Sequence, residues 1–415
     1  MKILLASFFA LPSIGGLWTY VQQLKQYLER MGHDVDVFAH HPEKRSYYMF
    51  HQTNDFDIKK AKTQVSPVFS PAYYQVDSLS DPKIADMELQ RCIYEAAALH
   101  LGVTEYDIIH TQDIISTMAI ARVKRKETPL IATIHGCYTV EILENGVISS
   151  KDSPHWTYSS LLEYYGVTAS DVTIVPSQWM KNLLVQQFNV PSHYMKVIPN
   201  GMDIERFLKE MESADEFVSP LDKKIIACVA RLHKLKGHHH LLEALARLKN
   251  ERTDWVCWII GAGSLQKDLE RQSQDLQLEE HVMFLGARND VAALLKKVDI
   301  CTLPSLQENC PYSVMEAQVA GKPIVASAVG GITEMVQHEI TGLLSPPGQE
   351  EPLYLNLKRV MEEETLRHQI ADNAKEWGQK QWSLEMMMKR TLAVYEKALQ
   401  KKHKGGKRFE LQPKK

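Results

Sequence analysis

Two carboxylates, Glu308 and Glu316, stand eight residues apart in "ENCPYSVMEA". Pro311 falls where a helix's first residue belongs, a place proline favours because its missing N–H costs nothing there. This predicts a strand in "DICTLPS", Glu308 in the loop after it, and Glu316 in the second turn of the helix "PYSVMEAQVAG". Free amides at a helix start attract anions, whereas carboxylates seek hydroxyl donors or cations. A ligand with phosphate flanked by polyhydroxyl rings satisfies both, and a nucleotide sugar is such a ligand.

Positive charge to match comes from "ARLHKLKG", which follows a strand and carries Arg231 and Lys236. Arginine can grip two phosphate oxygens at once, and lysine adds a point charge. A basic loop alone is more often simply solvated. Its place beside a helix start and two glycine turns, Gly15-Gly16 and Gly330-Gly331, favours a phosphate site, since paired glycines let backbone approach a pyrophosphate closely. Gly261, closing "VCWIIGAG", is counted among the donor-binding residues. His135 ends "PLIATIHG" and reads as lining a cleft, with His110 and Asp113 of "HTQD" as weaker acceptor-side candidates.

Other arrangements fail. Neighbouring side chains on a helix diverge by about 100°, so His238–His240 and the pair His40-His41 make poor metal sites. Asp34 and Asp36 of "DVD" alternate with Val35 and Val37 as a plain strand would, so no metal is expected. "GAGSLQ" lacks the third glycine of a dinucleotide fingerprint.

Positioning these groups requires strands that end together. Short apolar runs alternate with helical patterns along the whole chain, which implies βα units and parallel sheets. The runs are "KILLASF", "DVDVFAH", "DIIHTQ", "PLIATIHG", "DVTIVPS" and "KVIPNG", then "KIIACVARL", "VCWIIGAG", "VMFLGA", "DICTLPS" and "PIVASAVGG". The acidic "IERFLKEMESADEFVSP" between the two sets reads as a linker near residues 205–220. The expectation is α/β: two Rossmann-like domains, residues 1–205 and 206–377, with parallel sheets facing a central cleft. Residues 42–100 and 137–165 fit the alternation poorly and read as long, aromatic-rich excursions, either substrate-facing loops or loops with small cores.

Composition narrows the class further. With 48 basic against 51 acidic residues, overall charge gives no reason to expect nucleic acid. Six cysteines without a Cys-x-x-Cys pair point to buried thiols in a reducing compartment, hence the cytoplasm. "MKILLASFFALPS" runs straight into a Gly-Gly turn and a helical pattern, so a first strand is preferred over a cleaved signal. The end of the chain, residues 401–415, is basic; a solvated tail is favoured over peripheral contact with a membrane.

Taken together, the chain resembles the retaining glycosyltransferases of family 4, which have the GT-B fold. Glu308 and Glu316 match the family's Glu-x7-Glu motif, "ARLHKLKG" its phosphate-gripping loop, and "PNGMD" and "GGITEMV" further marks. "WSLEMMMKRTLAVYEKAL" resembles the last helix, about residues 378–400, which returns to the first domain. The resemblance implies that Arg231 and Lys236 neutralise a departing diphosphate and that Glu308 holds donor-sugar hydroxyls. Glu316 would take the ribose diol, Asn309, Cys310, Pro311, Tyr312 and Ser313 would line phosphate and sugar, and Gly15 and Gly16 would approach the diphosphate. His135 would sit near the reacting centre. A nucleoside-diphosphate sugar, uridine first, is the implied partner and co-substrate, with no other cofactor. The acceptor is unidentified, a cell-envelope glycan or glycolipid being the class in view. Pro311 departs from the glycine many members carry, which puts sugar selectivity in question. The alternatives are a nucleotide-sugar 2-epimerase of the same fold and a non-catalytic nucleotide-sugar-binding protein.

Overall fold

The computed structural model describes residues 1–51, 55–64, 81–213 and 222–402. It divides into two compact units: residues 1–199 with the C-terminal segment from Met387, and Asn200–Met386.

The first unit is built on eight strands: β1 (Lys2–Ala10), β2 (Asp34–His40), β3 (Ser46–Met49), β4 (Phe56–Asp57), β5 (Ile108–Thr111), β6 (Leu130–Thr133), β7 (Val172–Val175) and β8 (Met195–Val197). Their order is β4-β3-β2-β1-β5-β6-β7-β8. From β2 to β8 every pairing is parallel, and β3 and β4 add antiparallel strands at one edge. Helical crossovers such as Gly16–Arg30 and Ile114–Val123 make the parallel pairing reachable. Strand order reverses around β1, which lies between β2 and β5; in open α/β sheets, ligands bind beyond the carboxyl ends at such a point.

The two excursions are more regular than expected. Residues 42–100 contain β3, β4 and the helix Pro82–His100, while residues 137–165 hold the helix Tyr138–Glu144 and most of the helix Pro154–Thr168. Proline at the first turn and the side-chain caps of Asp81 and Ser153 start the two longer helices. The stretch "SPVFSPAYYQV" lies outside the described residues.

The second unit contains β9 (Lys224–Val229), β10 (Trp255–Ile260), β11 (Val282–Gly286), β12 (Ile300–Leu303), β13 (Ile324–Ser327) and β14 (Leu343–Ser345), ordered β11-β10-β9-β12-β13-β14. Successive residues of a strand face opposite sides. Ile225, Ala227, Val256 and Trp258 accordingly enter one core, and Ile226, Cys228, Trp255 and Cys257 the other. Both faces are covered, which is why these strands read as continuous apolar runs. The order reverses between β9 and β12.

Part of the expected linker is a structural element. Ile204–Met211 is a helix capped by Asp203, and its Phe207 and Met211 are anchored in the core of this unit. Residues 214–221 lie outside the described ones. Near the C-terminus, the helix Leu384–Lys402 carries Tyr395 into the first unit, where its hydroxyl meets His110 Nδ1 at 2.7 Å. Of the basic tail only Lys401 and Lys402 are described, and Lys402 pairs with Asp171 at 3.1 Å; any membrane contact by the tail falls on residues not described. Among the described residues no helix is long and apolar enough to cross a membrane.

Candidate active site

Two loops of the second unit leave its switch point, one after β9 and one after β12. The first is braced against the loop after β10: Leu232 N–H donates to Ala262 O at 3.1 Å, and Leu265 N–H donates to Leu232 O at 3.2 Å. A Cβ on Gly261 would fall 2.0 Å from Ala230 O, and one on Gly263 would fall 2.3 Å from Leu232 O. "GAG" is therefore a seat for the Arg231 loop. Spacing alone does not reveal this packing use of Gly261.

Gly237 serves the same purpose between the two loops. Its φ is +67°, and a Cβ there would fall 2.0 Å from Pro304 O, while Leu306 N–H donates to Leu235 O at 2.8 Å. Lys236 is thereby brought to the end of β12. Its Nζ lies 2.5 Å from Glu308 Oε1, which also accepts a 2.8 Å bond from Ser305 Oγ. Glu308 is buried and Lys236 nearly so. A cation and a hydroxyl thus supply the hydrogen bonds that a buried carboxyl group needs. The Arg231 side chain, by contrast, is exposed and makes no hydrogen bond or ion pair among the described residues.

The next strand fixes the Glu308 backbone. Gly331 N–H donates to Glu308 O at 3.3 Å, and a Cβ on Gly330 would lie 1.9 Å from that same oxygen. Gly330 therefore approaches the chain itself closely at this point. From the start of this unit, Asn200 Nδ2 donates to Cys310 O at 3.1 Å.

After Pro311 the helix Tyr312–Val319 begins with no capping side chain. Asn309 and Cys310 are buried, while Pro311, Tyr312 and Ser313 are partly exposed. Glu316 projects from the second turn of this helix, and its carboxyl makes no hydrogen bond among the described residues. Burial pushes its carboxyl up to about 7, and the nearby charge of Glu210 adds to the rise. A half-buried carboxyl without donors is what a ligand hydroxyl pair could satisfy.

In the first unit, Gly15 lies at φ 137° and precedes the helix Gly16–Arg30 without a side-chain cap. Glycine is favoured at that φ. His135 follows β6; its ring stands edge-on to Tyr20 with centroids 4.7 Å apart, and its Nε2 lies 3.1 Å from Gln112 Oε1. Burial pushes His135 down to about 4, so it is neutral at pH 7.

The two weaker candidates are occupied structurally. His110 meets Tyr395 through Nδ1 and Thr133 Oγ1 through Nε2, both at 2.7 Å. Asp113 caps the helix Ile114–Val123 through Ser116 N–H at 2.7 Å and accepts Phe8 N–H at 2.8 Å. Asp36 takes the Tyr106 hydroxyl at 2.6 Å, the work of a strand residue inside a core. His239 and His240 do not diverge as expected; their ring centroids lie 3.9 Å apart. Gln112, Asn200 and Ser305 are not singled out by the sequence reading, although they lie within "HTQD", "PNGMD" and "DICTLPS".

Two family models match the chain. "Glycosyltransferase Family 4" covers residues 14–206, and "Glycosyl transferases group 1" covers residues 210–377. An uncharacterized glycosyltransferase of Methanocaldococcus jannaschii is 28% identical over 410 residues, 96% of this chain and 99% of that protein. Among solved structures, sucrose-phosphate synthase from Thermosynechococcus elongatus superposes with a TM-score of 0.72 at 20% identity, covering 95% of this chain and 98% of the other. Anabaena HepE in complex with UDP-glucose gives 0.66 at 20% identity, covering 95% and 99%.

Proposed function

The chain belongs to the group 1 glycosyltransferases of family 4, and from that premise we propose that it moves a sugar from a uridine-diphosphate donor with retention of configuration and without a divalent metal. Its GT-B fold and its use of a nucleotide-sugar donor come with the family. The observation that carries the finer reading is the asymmetry around Glu308: an acid held by Lys236 and Ser305, beside an unpaired Arg231 and a Glu316 carboxyl without a donor.

In this account the uridine ribose diol bonds Glu316, and Glu308 takes donor-sugar hydroxyls. Lys236 then shares its charge between Glu308 and the diphosphate, and Arg231 closes on phosphate oxygens. The anomeric carbon–oxygen bond to phosphate breaks while a bond to the acceptor oxygen forms on the same face. The acceptor proton passes to the departing phosphate, giving uridine diphosphate and the new glycoside. Charge grows on the diphosphate as it leaves, so Arg231 and Lys236 stabilise the transition state more than the ground state. Preorganised donors of this kind are worth roughly 100- to 1000-fold each. Fixed cations would take the place of a metal ion. HepE's complex with UDP-glucose supports uridine as the base.

A panel of uridine and guanosine diphosphate sugars, assayed with candidate acceptors in excess chelator, tests this. NMR of the early product should show the donor's anomeric configuration preserved. An inverted product, dependence on added manganese, or epimerised donor in the absence of acceptor would overturn it.

A further inference from the structure

The loop between Glu308 and the helix Tyr312–Val319 is pinned at two carbonyls. One is Glu308 O, held by Gly331 N–H; the other is Cys310 O, held by the side chain of Asn200, 110 residues away in sequence. Asn200 is 8% exposed and Cys310 9%, so this bond lies away from water. Only the Nδ2 end of an amide can donate to a carbonyl, so the bond itself fixes the amide's orientation.

Cys310 O belongs to the peptide that joins Cys310 to Pro311. A peptide unit is planar, so fixing its oxygen fixes the direction in which Pro311 enters the helix. Pro311 brings neither an N–H nor a capping side chain. The helix start therefore takes its aim from the Cys310–Pro311 plane rather than from a local cap.

We infer that Asn200 is a positioning residue for the donor: it aims the start of the helix Tyr312–Val319 at the diphosphate without touching the ligand. The inference rests on the donor reading above. Asn200→Asp keeps the shape of the side chain but replaces the donor with a charged acceptor. Asn200→Ser removes the reach to Cys310 O without burying a charge, and it stands in should the Asp variant fail to fold.

Calorimetry on the full chain with uridine and with uridine diphosphate separates a positioning role from a merely structural one. Uridine should report the Glu316 end, and the diphosphate should add the helix start. Both variants should bind uridine diphosphate at least ten-fold more weakly than wild type and lose kcat by a similar factor. Uridine affinity should stay within about two-fold, and Asn200→Gln, which retains the amide donor, should recover part of the loss. Unchanged binding of uridine diphosphate, or equal loss of both ligands with a lowered Tm, would overturn the inference. Wild-type protein is titrated first: if it binds neither ligand, the uridine reading fails; if wild type and variants bind alike, the positioning role fails.

Discussion

His110 and Glu316 sit in corresponding places, one on β5 beside the first unit's reversal of strand order, the other in the helix that follows β12 beside the second's. Burial shifts both. His110 is pushed down to about 3 and Glu316 up to about 7. Their surroundings differ. His110 spends both ring nitrogens on Tyr395 and Thr133, and Thr133 in turn meets the Tyr20 hydroxyl at 3.2 Å, so the histidine ties the C-terminal helix to the sheet. Glu316 has no such partners. A buried polar group that is fully bonded is part of the architecture, whereas one without bonds carries a desolvation cost that a ligand can relieve. By this contrast the bonded His110, Asp113 and Asp36 read as parts of the architecture, whereas the half-buried Glu316 carboxyl keeps its hydrogen-bonding capacity for a ligand.

The largest expected effect separates two cations of one loop. Arg231→Ala should lower kcat on the order of 100-fold or more while leaving Tm unchanged, because the exposed guanidinium supports nothing in the empty protein. Lys236→Ala should lower kcat similarly and also destabilise the fold by about 1.5–3 kcal/mol, since Glu308 then loses its cation. Steady-state kinetics and thermal denaturation on both variants check this. A rise in KM alone would make the loop a ground-state binder.

A smaller effect should appear in the pH dependence of donor binding. If a diol bonds ionised Glu316, whose carboxyl in the free protein titrates near 7, affinity should be nearly full above that pH. It should fall as the carboxyl takes up its proton, by roughly ten-fold between about pH 8 and pH 6. Calorimetry in buffers of different ionisation enthalpy should register proton release on binding near pH 7. The slope should vanish in Glu316→Gln.

The smallest effect on the donor belongs to His110→Asn. The variant leaves Tyr395 or Thr133 without its partner and should lose about 1–3 kcal/mol of stability, yet bind uridine diphosphate as wild type does. The pH profile of stability follows from its lowered pKa. The unfolded histidine takes a proton near 6.5 and the folded one only near 3, so its stabilising contribution is intact above pH 6.5 and is lost as pH falls toward 3. Thermal melts across that range should show a shallower decline in the variant. A changed nucleotide affinity would return His110 to the site.

How much was legible beforehand follows the same division. The runs that became β1, β2, β5 to β7, β9, β10, β12 and β13 are buried along most of their length and stand out as apolar stretches, while β8 and β11 expose Lys196 and Met283 yet keep apolar neighbours. β3 and β4 lie outside the βα alternation as antiparallel strands at the sheet edge, and β14 spans only three residues. The helix Pro82–His100 was hidden because its buried face includes Glu88 and Arg91, which pair with each other inside the unit and break the apolar period. Ile204–Met211 was hidden by acidic neighbours, though Phe207 and Met211 hold the i, i+4 spacing of one helix face. In the site, Arg231, Lys236, Glu308 and Glu316 were readable because each lies in a short motif at a strand end. Asn200 and Ser305 act through bonds to Cys310 and Glu308, and Gln112 through one to His135. Such bonds are made only when the fold brings distant or looping segments together.

The central claim is that Glu308 and Glu316 divide one ligand between them, and calorimetry with uridine diphosphate and its sugar conjugate on two variants tests it most directly. Glu316→Gln should weaken both ligands by similar factors, through loss of a charged hydrogen bond worth about 1.5–3 kcal/mol. Glu308→Gln should weaken the sugar conjugate and leave the bare nucleotide nearly untouched. Equal loss of bare uridine diphosphate in the two variants would contradict the account.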